Sequence, residues 1–385
     1  MIYDFDTMPD RKSTESIKWN YFEDDVLPMW VADMDFVSPE PVVRALRERV
    51  EHGVFGYALD VPGLKDVIVE RMARLYGWTI QPDDIVYTPG VVTGFHMAAH
   101  GLVGEDAGLM IQTPVYMPFL TTAKNACSIP QEMELTYLSN GSYEIDWDCF
   151  EQSITDQTRM FLLCNPHNPI GRVFTRAELE RMAEICLRRN VIICSDEIHS
   201  DLIYEGHHHV PMASLSPEIA QKTITLMAPS KTFNVAGLSA SFAIIQNKDL
   251  RKRFVKGGLG MVHGVNLLGL TAAKAAYAEG QEWLDQLLVY LQGNRDFLHD
   301  FVHQRLPGVK MFRPEGTYLA WLDCREANIP GKPGDFFTKI ARVGVVDGGE
   351  FGKGGDGFIR LNFGCPRSML NDALERMEKA LEGLK

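Results

Sequence analysis

Six short apolar runs between residues 84 and 246 restrict this chain more than any other feature: DIVY, GLMIQ, RMFLLC, NVIICS, TITLMA and SFAIIQ. Each is followed by loop residues and then by an amphipathic stretch. Continuous apolar runs of this length fit strands buried on both faces, and strands alternating with helices build layered α/β structures around a mainly parallel sheet. One intervening helix is marked at both ends. Thr175 and Glu178 form a T-x-x-E capping box, Leu179, Met182, Ala183, Cys186 and Leu187 make an apolar stripe, and Arg188 and Arg189 sit in the last turn. That helix would cross back over the sheet between RMFLLC and NVIICS.

A second amphipathic stretch, about 282–306, has the length of a helix bridging two units, with Gly293 in its interior. After Pro307 the pattern changes to short strands (KMF, TYLAWLD, GFIRLNF) and two helical segments, a smaller α+β unit. The expected organisation is an N-terminal segment, 1–50, with a helix from Pro41 to His52 and no apolar core of its own, packing with the small unit. A large domain, 51–285, and a C-terminal small domain, 286–385, follow it. The stretch GGEFGKGGDG from Gly348 lacks P-loop spacing and reads as a mobile loop.

With 385 residues and 45% hydrophobic content the chain is long enough for a sizeable core, and disorder is excluded as its main state. The net charge of -13 argues against nucleic acid or an anionic membrane as partner. The first residues lack the basic start and apolar core of a signal peptide, and no apolar run approaches a membrane span. Seven cysteines without a C-x-x-C pair favour reduced thiols and a cytoplasmic location.

The chemistry concentrates where the apolar runs end. Lys231, in MAPSKTFNVAGLS, follows TITLMA; Asp196 follows NVIICS; and Asn168, in NPHNPIGR, follows RMFLLC. All three would leave consecutive edges of one sheet, the edge at which α/β proteins bind ligands. A pyridoxal 5'-phosphate site needs such a trio: an amine for the cofactor's carbonyl, a carboxylate facing the pyridine nitrogen, and a donor to the phenolic oxygen. A surface lysine capping a loop and a structural buried acid remain the plain readings of Lys231 and Asp196 taken singly.

In TPGVVTGF a strand breaks at Pro89 and Gly90 and a helix begins, so N–H groups near Val91, Val92 and Thr93 would suit a phosphate, with Ser230 adding a hydroxyl. Tyr116 would lay its ring on a flat cofactor, or else sit in the core. Arg360 lies between apolar neighbours in GFIRLNFGCPR, where it needs either a substrate carboxylate or an internal acid. His207, His208 and His209 alternate faces and read as a polar loop. The acids Asp196, Glu197 and Asp201 with His199 resemble metal-ligand spacing only superficially, Glu197 being structural, and no metal is expected.

Taken together, NPHNPIGR, SDEIH, SKTFNVAGL and FIRLNFGCPR resemble fold type I pyridoxal-phosphate enzymes, the aspartate aminotransferase superfamily. Within it, Lys18-Trp19, PMWVADMDF, HGVFGY and APSKTFNVAGL look like the MalY/PatB group of cystathionine beta-lyases, which includes cystalysin. The resemblance implies a large domain with a mainly parallel sheet plus a smaller α+β domain. It also implies roles: Lys231 carries the cofactor as an internal aldimine, Asp196 meets the pyridine nitrogen, Asn168 the phenolic oxygen, Tyr116 stacks on the ring, and Arg360 holds the substrate carboxylate. Tyr57 would reach the phosphate of a neighbouring subunit, which implies a homodimer with composite sites. Trp30 and Asp33 border the substrate and receive no chemical role.

Ser239 stands where aminotransferases usually have a phosphate-binding arginine, and His199 replaces a tyrosine near the phenolic oxygen; both look like the lyase group. The activity implied is β-elimination from L-cystathionine or related S-conjugates of L-cysteine, giving a thiol, pyruvate and ammonia. An aminotransferase acting on an aromatic or sulfur amino acid, and a regulatory protein that binds a transcription factor with incidental lyase activity, remain as alternatives.

Overall fold

A computed structural model describes residues 1–58 and 60–384. The six apolar runs form strands and a seventh joins them: β1 (Ile85–Thr88), β2 (Gly108–Thr113), β3 (Ile129–Glu134), β4 (Thr158–Cys164), β5 (Ile192–Asp196), β6 (Thr223–Met227) and β7 (Ser241–Ile244). They make one sheet in the order β1-β7-β6-β5-β4-β2-β3. From β6 to β3 every neighbour is parallel, whereas β7 runs antiparallel to both β6 and β1. The strand absent from the sequence pattern is β3, which carries Pro130 and is largely exposed. As the edge strand it has one side free of ladder bonds, so a residue without N–H is tolerated there.

Six helices matter for the site: α1 (Leu64–Tyr76), α2 (Val91–Leu102), α3 (Met117–Asn125), α4 (Arg176–Arg188), α5 (Pro229–Thr232) and α6 (Gln281–Arg305). Both sheet faces are buried, as the apolar runs require. Leu109, Ile111, Met160, Leu162 and Ile224 meet Phe95 of α2 and Phe119 of α3 on one face. Met110, Phe161, Leu163 and Ile193 meet Leu179, Met182, Ala183 and Cys186 of α4 on the other. The period-two alternation along β4 thus serves two helical layers. The start of α4 has the capping box read from the sequence: Thr175 Oγ1 accepts from Glu178 N, and Glu178 Oε2 accepts from Thr175 N at 2.8 Å.

Helix α6 runs unbroken through Gly293. Beyond it lies a four-stranded antiparallel sheet of β8 (Lys310–Met311), β9 (Leu319–Asp323), β10 (Val346–Asp347) and β11 (Phe358–Asn362), in the order β8-β9-β11-β10. The N-terminal segment is stitched to this region: Leu27–Pro28 pairs in parallel with Val343–Gly344, Asn362 N donates to Met29 O, and Asp35 N donates to Gly364 O. The Gly-rich stretch read as a mobile loop is instead packed. Phe351 within it is fully buried, and a Cβ on Gly348 would lie 2.1 Å from Gly355 O. Among the described residues no helix is long and apolar enough to cross a membrane.

Candidate active site

Register explains why distant residues converge. Cys164, the last residue of β4, pairs with Asp196 at the end of β5, which pairs with Leu226 near the end of β6. The segments leaving these three neighbouring strands carry Asn168, Asp196 and Lys231 to one point on the sheet's carboxyl edge. Because β7 is antiparallel to both its neighbours, β1 ends at that edge too, and it delivers the start of α2. The result is a cavity of about 490 Å³ lined by Asn168, Asp196, Lys231, Tyr116, Arg360, His199, Ser230, Val91, Val92 and Thr93, together with Trp30, Met117, Cys164, Ser239 and Val346. The site residues inferred from sequence lie on this wall except Asp33, which pairs with Arg11, and Tyr57, which stands fully exposed elsewhere on the chain.

Asp196 and Arg360 are buried and Lys231 is half-buried, and none of the three forms a salt bridge with a described residue. Lys231 Nζ donates to Ala32 O at 2.7 Å and makes no salt bridge with a described carboxylate. Burial and the neighbouring Arg360 guanidinium lower its pKa to about 8, against the opposing pull of Asp33 and Asp196. The Asp196 carboxylate accepts one hydrogen bond among the described residues, from Ile198 N to Oδ1 at 3.1 Å. Burial raises its pKa to about 7, and neither that bond nor Lys231 offsets the effect.

Arg360 on β11 donates from Nη1 to Asn168 Oδ1 at 3.1 Å and from Nη2 to Trp30 O at 2.9 Å, while its Nε is buried without a partner. No described acid forms a salt bridge with it, and burial brings its pKa down to about 10. His199 is also sealed in, edge-on to Tyr318, with Nδ1 unpartnered. Burial, Lys231 and Arg360 depress it to about 3, so its ring is neutral.

At the β1 end, Gly90 takes φ 143° immediately before α2, a conformation that favours glycine, and no side chain caps the helix. The first N–H groups of α2, at Val91, Val92 and Thr93, therefore lack the usual acceptor and border the cavity, with Ser230 and Ser239 nearby. A dianionic phosphate, a cationic ring nitrogen beside Asp196 and a carboxylate beside Arg360 would each satisfy a group that the protein leaves open. The residues present fit pyridoxal 5'-phosphate.

The acids that resembled metal ligands point apart. Glu197 turns away from the cavity and is saturated: Oε1 accepts from Ser195 Oγ and Met212 N, and Oε2 lies 2.8 Å from His209 Nε2. His209 is thus buried, not part of a polar loop. The signal for it was Glu197 itself, a carboxylate directly after an apolar strand that requires a partner. Contacts made by main-chain carbonyls left no sequence trace; Ala32 O, which accepts from both Lys231 and Tyr318 Oη, was not foreseen.

The family model described as aminotransferase class I and II matches residues 25–377. Cystathionine beta-lyase PatB of Bacillus subtilis (strain 168) is 40% identical, over 98% of this chain and 99% of PatB. Protein MalY of Escherichia coli (strain K12) is 30% identical, over 100% of each chain. The crystal structure of cystalysin from Treponema denticola, which contains a pyridoxal 5'-phosphate cofactor, superposes with a TM-score of 0.96 at 36% identity over 100% of each chain. The chain belongs to the class I and II aminotransferase family and, within it, to the group of PatB and MalY, in agreement with the resemblance drawn from its motifs.

Proposed function

We propose that this protein is a pyridoxal 5'-phosphate-dependent carbon-sulfur β-lyase that cleaves L-cystathionine and related S-conjugates of L-cysteine to a thiol, pyruvate and ammonia. The observation that carries the reading is the convergence of Lys231, Asp196 and Arg360 in one cavity, none of them in a salt bridge with a described residue. Bound there, the cofactor supplies a carbonyl carbon for amines and a cationic ring that accepts the electrons of a broken Cα–H bond.

The remaining work falls to side chains. With its pKa lowered to about 8, Lys231 is neutral in roughly a quarter of molecules at pH 7.5, and that free amine is both nucleophile and general base for the Cα proton. Asp196, raised by burial, becomes a stable carboxylate once a cationic ring nitrogen faces it. Arg360 would take the substrate carboxylate through its unpartnered Nε and its Nη groups, and Asn168, whose Oδ1 accepts from Arg360 Nη1, would donate from its amide to the cofactor's phenolic oxygen. Tyr116 covers the ring, while the start of α2 and Ser230 hold the phosphate. Cys164 and His199 complete the wall.

We assign the cofactor cleft to the junction of a large domain (51–285) and a small one (286–385), with residues 1–50 attached to the latter; pairing of Leu27 with Val343 supports this. Tyr57 would serve the phosphate of a second copy in a homodimer. Its full exposure, beside half-exposed Val54 and Phe55, supports a contact surface there. Seven free cysteines support a cytoplasmic location. The test is to incubate the purified protein with cystathionine and no 2-oxo acid while measuring pyruvate and thiol. Both are expected to accumulate; turnover only after a 2-oxo acid is added contradicts the lyase reading.

A further inference from the structure

Lys231 stands on a helix of only four residues, α5, and Asn234 just beyond it takes φ 56° in the left-handed region. A single turn has almost no internal hydrogen bonds with which to hold its orientation. Side chains from elsewhere set it. Thr232 Oγ1, adjacent to the lysine, donates to Asp201 Oδ2 at 3.0 Å. The other oxygen, Oδ1, accepts from Arg71 Nη2 of α1 at 2.7 Å, and these two charged side chains are only 3% and 7% exposed. Arg71 is itself fixed, with its guanidinium 4.9 Å from the centre of the Tyr277 ring.

Asp201 follows Asp196 by five residues in a tight turn in which Ser200 N donates to Glu197 O and Leu202 N donates to His199 O. One short segment therefore presents a carboxylate to the cavity at its start and grips the lysine's helix at its end. We propose that Asp201, held by Arg71 and bonded to Thr232, is a positioning residue that fixes Lys231 Nζ relative to Asp196. The proposal rests on the lyase reading above. A buried ion pair is a costly way to gain stability, and here it anchors the turn that carries the reactive amine. Misplacing a base by about 1 Å costs on the order of a hundredfold in rate, so a partial loss of this anchor reduces catalysis before it affects folding. Substrate binding is spared, because the carboxylate clamp on β11 does not contact the anchor.

The test compares Thr232→Val, which removes the hydroxyl while keeping the branched shape and the Arg71–Asp201 pair, with Thr232→Ser, which restores the donor. For the holoenzyme with cystathionine, Thr232→Val is expected to lower kcat about tenfold with KM within about twofold, and Thr232→Ser to recover kcat to within about twofold. Hydrogen exchange followed by mass spectrometry should show faster exchange over residues 229–235 in Thr232→Val alone. Unchanged exchange and kcat in Thr232→Val would overturn the proposal, as would losses that Thr232→Ser does not repair. If the unsubstituted enzyme releases no pyruvate, the lyase reading fails by itself, and the exchange comparison still decides the anchor.

Discussion

Two sets of buried charges sit within the same fold and are treated in opposite ways. Near the N-terminus, Lys18 Nζ lies 2.6 Å from Asp35 Oδ2, with both side chains fully buried, and Arg11 bridges Asp35 and Asp33 at 2.6 and 2.7 Å. Trp19 Nε1 donates to Asp35 as well, so each buried charge has a partner of opposite sign and further hydrogen bonds. In the cavity, Lys231 and Arg360 instead donate to neutral oxygens, and Asp196 accepts from a single N–H. Paired charges tie residues 11–19 to residues 33–35 within the N-terminal segment. Unpaired ones hold the protein in a state that a ligand of complementary charge relieves, and this is why the second set defines the site.

The difference can be broken from either side. Replacing Lys231 with Met should reduce cystathionine turnover by on the order of 10³–10⁴, as loss of a general base does, without lowering the denaturation midpoint of the cofactor-free protein. Lys18→Met should do the reverse. It removes one of the two cations on Asp35, Arg11 remaining, so denaturant titration should show a loss of about 3 kcal/mol, while kcat per folded molecule stays within about threefold.

A third prediction concerns pH. The pKa of Lys231 falls from 10.5 to about 8 on folding, so between those values the unfolded chain binds a proton that the folded one does not. Stability of the cofactor-free protein should therefore rise between about pH 8 and 10.5, by roughly 3 kcal/mol from this group. Asp196 acts oppositely. Its pKa rises from 3.8 to about 7, so its contribution to stability falls as pH climbs through that interval. Together they make a trough near pH 7–8, which denaturation at a series of pH values should find and which Lys231→Met should lose on its alkaline side. The smallest expected effect is that of Arg360→Lys, which keeps the charge but loses the two-pronged grip: kcat/KM should fall by about 10- to 100-fold, mostly through KM.

How much of this was legible in sequence follows the same division. The apolar runs, the capping box of α4 and the chemical residues at strand ends were all readable, because periodicity and the cost of a lone charge beside an apolar strand leave a local signature. Strand β3 was missed because Pro130 and its exposed residues imitate a loop, and only its place at the sheet edge makes it a strand. His209 was misread because its partner Glu197 lies 12 residues away across a turn. The acceptors of Lys231 and Arg360, Ala32 O and Trp30 O, are main-chain atoms, and the sequence carries no mark of which carbonyl a distant side chain will meet. Asp201 was visible only as one of several acids, and its bonds to Arg71 and Thr232 join segments 130 and 31 residues away.

The central claim is that the unpaired cavity charges exist to hold pyridoxal 5'-phosphate, with Lys231 as the group that takes its carbonyl. The direct test is to titrate cofactor-free protein with pyridoxal 5'-phosphate, reduce with borohydride and map the label by peptide mass spectrometry. The account predicts a visible absorbance that saturates near one cofactor per chain and a reduced adduct on Lys231. No visible band, or a label spread over other lysines with Lys231 unmodified, would contradict it.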